Sequence, residues 1–161
     1  MGIILTEKTN VLVSGITGKE GTYHTEKMLK YSTNVVCGVT PGKGGQTHLG
    51  VPVYNSIKEA KLNHKIDVCG IFVPSKFAYN AAMEAIDNDV KSIVLITEGI
   101  CPHETIKIVT SARKKGITML GPNTPGLVTP DSGVVGVLAT DHLKKGILGV
   151  VSRSGTLTVE I

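Results

Sequence analysis

A chain of 161 residues, 41% apolar and 19% charged, is long enough to bury one sound core, and no apolar run approaches the ~20 residues of a membrane span. The net charge of +4 helps an anion approach, but aromatics are only 4% and the two basic pairs, Lys114-Lys115 and Lys144-Lys145, lie far apart, which argues against a nucleic-acid surface. Cys37, Cys69 and Cys101 are widely spaced without a C-x-x-C, and no signal or transit segment is visible, so free thiols in a cytoplasmic protein are expected.

The first informative stretch runs from Val11 to Gly21. A short apolar run reads as a buried strand and breaks into Gly15, Gly18 and Gly21, spaced G-x-x-G-x-x-G, before a helix-like segment over about 22–31. This is the order of a first βα turn that holds a phosphate: glycines let the backbone approach the anion, and a helix start presents unpaired N–H groups. The dinucleotide fingerprint G-x-G-x-x-G is missed by one position, because Ile16 stands where its first glycine would be.

Further along, 35–39 reads as a second buried strand, running into a loop over 40–50 with four glycines and Pro41. Residues 51–54 form a short strand, and Ser56-x-x-Glu59 has the spacing of a capping box that opens a helix to about Leu62. A strand over 68–73 stops at Pro74. The next segment, 76–87, places Phe77, Ala81, Ala82, Ala85 and Ile86 near helical spacing. A strand over 92–96 leads to Thr97-Glu98-Gly99, and Pro102 suits the first turn of a helix that ends at Gly116. Residues 117–120 form another strand, closing on Gly121-Pro122-Asn123. A hairpin around Gly133, a strand over 147–151 and a helix start near Ser154 complete the reading.

Strands alternating with helices and joined by glycine turns predict an α/β fold, a Rossmann-like, mostly parallel sheet with helices on both faces. Ligands of such sheets bind at the carboxyl ends of strands, where strand order reverses. Three strand ends are expected to converge: 17–20, the loop holding Lys43, and Thr97-Glu98. A nicotinamide dinucleotide usually calls for an acid after the second strand, on the ribose 2′-OH. Here Thr40 and Pro41 occupy that place and Lys43 follows, which suits a ribose bearing a phosphate. That leaves coenzyme A (CoA) and NADP, hence a CoA-dependent enzyme, a stand-alone CoA-binding regulatory module, or an NADP-dependent oxidoreductase domain.

Five motifs in register now carry a family resemblance. They are Gly15-x-Thr17-Gly18-x-x-Gly21-Thr22-x-His24, the run from Gly38 to Gly45, Ile96-Thr97-Glu98-Gly99, Gly121-Pro122-Asn123-x-Pro125-Gly126, and the run from Val151 to Thr158. Together the chain resembles the α subunit of succinate–CoA ligase from about Thr9 onward. The resemblance implies a CoA-binding Rossmann-like domain over 1–145 and the beginning of a second, ligase domain over 146–161. It implies that Thr17, Gly18, Lys19, Glu20, Lys43, Ile96, Thr97 and Glu98 meet CoA. Ser154, Gly155 and Thr156 would form a helix start facing a phosphohistidine, and Asn123 and Val159 would lie near the acid substrate. The implied partner is a β subunit carrying the nucleotide and Mg, with no nucleic-acid or membrane partner and no metal in this chain. The implied reaction interconverts succinate, CoA and a nucleoside triphosphate with succinyl-CoA, the diphosphate and phosphate.

Two departures bear on that picture. Thr124 stands where many relatives carry cysteine, and Val159 where they commonly carry tyrosine, which removes a hydroxyl near the acid. None of His24, His48, His64, His103 or His142 occupies the motif of the phosphorylated histidine, and surface or capping roles are expected for all five. No catalytic residue is therefore expected in this chain. It reads as the CoA-binding half of an α subunit that binds CoA without catalysing ligation alone.

Overall fold

The computed structural model describes residues 4–155 together with Thr158. It begins with β1 (Val11–Ser14) and α1 (Lys19–Lys30), followed by β2 (Val35–Val39). Next come β3 (Thr47–His48), β4 (Val51–Tyr54), α2 (Ile57–Lys61) and β5 (Val68–Ile71). α3 (Ser75–Asp87), β6 (Ser92–Leu95), α4 (Pro102–Lys114) and β7 (Thr118–Leu120) complete the main layers, and β8 (Gly126–Thr129) and β9 (Gly133–Gly136) form a separate hairpin.

The seven-stranded sheet has the order β3-β4-β2-β1-β5-β6-β7. Every pairing in it is parallel except β3 with β4. Growth from β1 proceeds outward through β2 and β4, then returns to the other side of β1 with β5. The reversal therefore lies between β1 and β5, and the crevice at their carboxyl ends is the expected ligand site.

Both sheet faces are buried, as the period of 2 along each strand requires. Leu12, Cys37, Cys69, Ile71, Ile93 and Leu95 point to a face covered by α2, α3 and α4 through Ile57, Ala82, Ala85 and Ile108. Val11, Val13, Val68 and Val94 point to the other, covered by α1 through Met28 and by the hairpin through Val134 and Val135. Helices thus lie on both faces, and on the second face the hairpin takes the place of a further helix. Thr33 pins it there: its buried hydroxyl donates to the Val134 carbonyl and accepts from the Val134 N–H, both at 2.9 Å.

Several expectations are corrected. α1 begins at Lys19 rather than near Thr22, because Gly18, extended at φ −75° and ψ 163°, serves as its N-cap. The loop over 40–50 contains β3, which pairs antiparallel with β4. The capping box at α2 is only half formed: Glu59 N–H donates to Ser56 Oγ at 3.1 Å, but the Glu59 carboxylate reaches back to the N–H of Asn55 at 2.8 Å. Phe77 is exposed, and Ala78 takes the buried place on α3. The strand expected over 147–151 is absent: no described strand lies beside it, and Ile147, Leu148 and Val151 are exposed. Apolar character alone does not make a strand without a ladder partner.

Candidate functional site

The first turn shows why the missing fingerprint glycine does not matter. Gly15, at φ +84°, makes the tight turn itself, and its N–H continues the ladder to the Val39 carbonyl at 2.8 Å. Gly21 lets α1 settle onto that turn, since a Cβ there would stand 2.0 Å from the Gly15 carbonyl oxygen. The glycine spacing is shifted by one residue, yet the jobs of turning and of close helix packing are both filled.

No side chain caps α1. Its first N–H groups therefore open on the carboxyl edge of the sheet, with the partial positive charge of a helix start. α3 likewise begins without a side-chain cap, at Pro74. Between these two starts lies a cleft of about 660 Å³. Glu20 and His24 of α1 line it, with Phe72, Val73, Pro74 and Ser75 after β5 and Ile96, Thr97 and Glu98 after β6. Asn123 to Pro125 after β7, Val137 after β9, and Arg153 with Gly155 close the remaining sides.

Six of the thirteen residues expected to meet a ligand come together: Glu20, Ile96, Thr97, Glu98, Asn123 and Gly155 share one cleft. Thr97 Oγ1 donates to the Val73 carbonyl at 2.7 Å, clamping the ends of β5 and β6, so its hydroxyl is left as an acceptor. Asn123 N–H donates to the Thr97 carbonyl at 3.0 Å, which ties the third turn to the fourth. Glu98 is exposed and does not cap α4, whose N-cap is Cys101.

Gly18 and Lys19 sit at the start of α1. Thr17 faces away from the cleft, toward the end of β2, where its hydroxyl donates to Thr40 Oγ1 at 3.1 Å. Lys43 lies in the loop beyond that contact and is not part of the cleft wall. Ser154 makes a local turn: its N–H donates to Ser152 Oγ at 3.0 Å, and its carbonyl accepts from Thr158 N–H at 3.2 Å. Thr156 and Val159 lie outside the described residues.

His24 corrects the sequence expectation. It is neither a surface nor a capping group: its side chain is 12% exposed, stacks on Phe72 with ring centroids 5.7 Å apart, and brings Nε2 to 3.6 Å from Glu20. Burial holds the imidazole below its ordinary pKa; the Glu20 charge opposes that shift and the Lys27 charge adds to it. A neutral ring at the cleft wall is the result. His48 is also engaged, with its Nε2 2.9 Å from Thr22 Oγ1, whose proton goes to the Ile16 carbonyl at 3.1 Å. The sequence signal for His24 is its place four residues after Glu20: one face of α1, one turn further on, passes over the same cleft.

The fold and site define a Rossmann-like domain whose switch-point crevice is framed by two open helix starts, with Thr40 and Pro41 where an NAD domain carries an acid and Lys43 just after them. The chain belongs to the CoA binding domain family, whose pattern matches residues 6–99. It is 50% identical over its whole length to succinate–CoA ligase (ADP-forming) subunit alpha 2 of Archaeoglobus fulgidus, covering 56% of that protein. It is 49% identical over 158 residues to the alpha subunit from Methanothermobacter thermautotrophicus, covering 98% of this chain and 54% of that one. The chain therefore spans about half the length of the curated relatives it matches. Among solved structures, a dinucleotide-forming acetyl-coenzyme A synthetase from Ca. Korarchaeum cryptofilum, in complex with phosphate and ADP, superposes with a TM-score of 0.76. It is 23% identical, with 95% of this chain and 34% of that one covered. Methanosaeta concilii ATP citrate lyase, in complex with (3S)-citryl-CoA, superposes at 0.74 with 21% identity, over 83% of this chain and 24% of that one. At these identities the two structures support the fold. No described helix is long and apolar enough to cross a membrane.

Proposed function

We propose that this chain is the CoA-binding part of the α subunit of an ADP- or GTP-forming succinate–CoA ligase, acting with a β subunit that carries the nucleotide and Mg in the cytoplasm. The observation that carries the reading is the convergence, at one switch point, of the open start of α1, the 96–98 turn and Asn123, with no acid at Thr40 and Pro41, where an NAD site requires one, and Lys43 just beyond. In this reading the backbone of Gly18, Lys19 and Glu20 meets the CoA diphosphate, and Lys43 meets the ribose 3′-phosphate. Thr17 braces the β2 loop that carries Lys43. Ile96, Thr97 and Glu98 flank the pantetheine arm as it enters the cleft, and Asn123 lies where the acyl end arrives. Residues 1–145 form the CoA-binding domain and 146–161 lead into the ligase domain. There Ser154, Gly155 and Thr156 face the phosphoryl group and Val159 borders the acid.

The chemistry assigned to these residues is binding and orientation. Fixed N–H donors and a cation hold the anionic end of CoA, while the cleft directs the thiol toward the acyl centre. None of the five histidines occupies the sequence motif of the family's phosphorylated histidine, so the chain alone is expected to bind CoA without turning over nucleotide.

Titration calorimetry with CoA, dephospho-CoA and NADP tests the reading. CoA is expected to bind, dephospho-CoA more weakly, and NADP not at all. Lys43→Ala is expected to weaken CoA by roughly tenfold or more, the scale of a lost hydrogen bond to a charged group, while leaving dephospho-CoA unchanged. Binding of NADP without CoA would overturn it.

A further inference from the structure

The loop that carries Lys43 contains four glycines, yet its backbone is not a phosphate cradle. From Gly42 to Gly45 its N–H groups are already occupied. Lys43 N–H donates to the Thr40 carbonyl at 3.0 Å, and Gly45 N–H to the Val53 carbonyl at 2.9 Å. Gly42 and Gly44, on either side of Lys43, both donate to one atom, Asn55 Oδ1, at 3.0 and 2.9 Å. Over 42–45 the anion-binding capacity therefore rests on the Lys43 side chain, for which no described carboxylate forms an ion pair.

Asn55 is itself anchored. It follows β4 directly, and its N–H donates to Glu59 Oε2 at 2.8 Å, in the first turn of α2. The amide also sets the composition of the loop: a Cβ on Gly44 would stand 2.2 Å from Asn55 Nδ2, so the side chain occupies space that only a glycine leaves open. A chain of contacts runs from the α2 cap through Asn55 into the two peptides flanking Lys43.

We propose that Asn55 is a positioning residue for ligand selectivity: it fixes the turn from which Lys43 reaches the phosphate on the ligand's ribose. This rests on the CoA reading given above. A lysine on an untethered glycine loop must be ordered when the anion binds, and that cost weakens the complex. Held by Asn55, the turn is ordered beforehand. The effect is confined to ligands that carry the ribose phosphate, because only they engage Lys43.

Calorimetry on the full chain with CoA and dephospho-CoA tests this, with thermal melts to confirm folding. Asn55→Ala is expected to weaken CoA by about tenfold and to leave dephospho-CoA unchanged. In a Lys43→Ala background the same substitution is expected to have no further effect on CoA, since the residue it positions is gone. Gly44→Ala, which displaces the Asn55 amide by a different route, is expected to reproduce the selective loss and serves if Asn55→Ala does not fold. An equal loss for both ligands, or a full effect in the Lys43→Ala background, would mean a merely structural role and overturn the proposal. If the wild-type chain does not discriminate CoA from dephospho-CoA, the assignment of Lys43 fails first, and this proposal with it. If it discriminates and the Asn55 and Gly44 variants discriminate equally well, this proposal alone fails.

Discussion

Gly21→Ala sets two physical effects of opposite sign against each other. Gly21 is the third residue of α1, in its first turn, and alanine is favoured over glycine in a helix by at most about 1 kcal/mol there. Propensity alone therefore predicts a more stable protein. The added Cβ, however, would stand 2.0 Å from the Gly15 carbonyl oxygen and 2.7 Å from its carbon, whereas ordinary contact begins near 3.4 Å. The obstacle is backbone, held by the bond from Gly15 N–H to Val39, so α1 must retreat by more than 1 Å. Retreat loosens Thr25 and Met28, both fully buried on the same helix face. Overpacking of this kind costs up to ~3 kcal/mol, which exceeds the propensity gain and leaves about 2 kcal/mol of net destabilisation. For a domain of this size that corresponds to a fall of roughly 4–8 °C in Tm. Thermal and urea melts measure it, the urea midpoint falling at unchanged slope. Gly18→Ala is the control: its Cβ would meet the Gly15 oxygen at 3.2 Å, so a smaller loss is expected, set mainly by the poorer N-cap. A Gly21→Ala protein as stable as wild type, or more so, would refute the claim that helix–turn contact dictates glycine here.

Three further outcomes are expected. Because the folded imidazole of His24 titrates below its ordinary value of 6.5, the unfolded chain takes up its proton first as pH falls. The stability linked to His24 is therefore complete above pH 6.5 and is lost as pH drops through that value toward the folded pKa. Urea midpoints between about pH 7.5 and about pH 5.5 should fall further for wild type than for His24→Gln, and parallel curves would contradict the assignment. Thr33→Val removes both hydrogen bonds to Val134 and leaves a buried N–H and carbonyl unpaired, for a loss of about 2 kcal/mol or more; hydrogen exchange at β8 and β9 should rise with it, and unchanged exchange would count against Thr33 as the pin. Finally, burial pushes the Cys37 thiol up to about 12 and the Cys69 thiol upward as well, whereas Cys101 is exposed. A disulfide reagent should find one fast thiol in the native chain, lost in Cys101→Ser, and more than one fast thiol would show that the sheet opens readily.

The architecture was legible because its signals are local. Buried strands read as short apolar runs, helices as periodic ones, and glycine turns marked the joints at Gly15, Gly99 and Gly116. The site followed from a topological rule that needs only the order of elements: residues just after strands face the ligand. What failed depended on distant partners. His24 reads as an ordinary helix residue until Phe72, 48 positions away, is brought against it by the pairing of β1 with β5. The hairpin was visible, but its place on the α1 face was not, because Thr33 and Val134 are separated by 101 residues. The segment 147–151 failed for the opposite reason: its apolar pattern was read correctly as a pattern, and the described fold supplies nothing to pair with it.

The four helices also differ in how their starts are treated: α2 is capped by a side chain, whereas α1, α3 and α4 are not. All four follow strands and so begin at the same edge of the sheet. At α2 the start is closed twice: Ser56 Oγ accepts from Glu59 N–H, and Glu84 of α3 accepts from Ile57 N–H at 2.7 Å. Burial pushes the Glu84 carboxyl upward, so placing it there carries a cost that the helix dipole and the Ile57 N–H partly offset. A helix start plugged by a carboxylate repels any further anion. α1, α3 and α4 carry no such plug, and of these α1 and α3 border the cleft. Capping α2 and leaving α1 and α3 open directs an anionic ligand to the crevice between β1 and β5. α2 then takes a different part: through Glu59 and Asn55 it steadies the loop from which Lys43 extends.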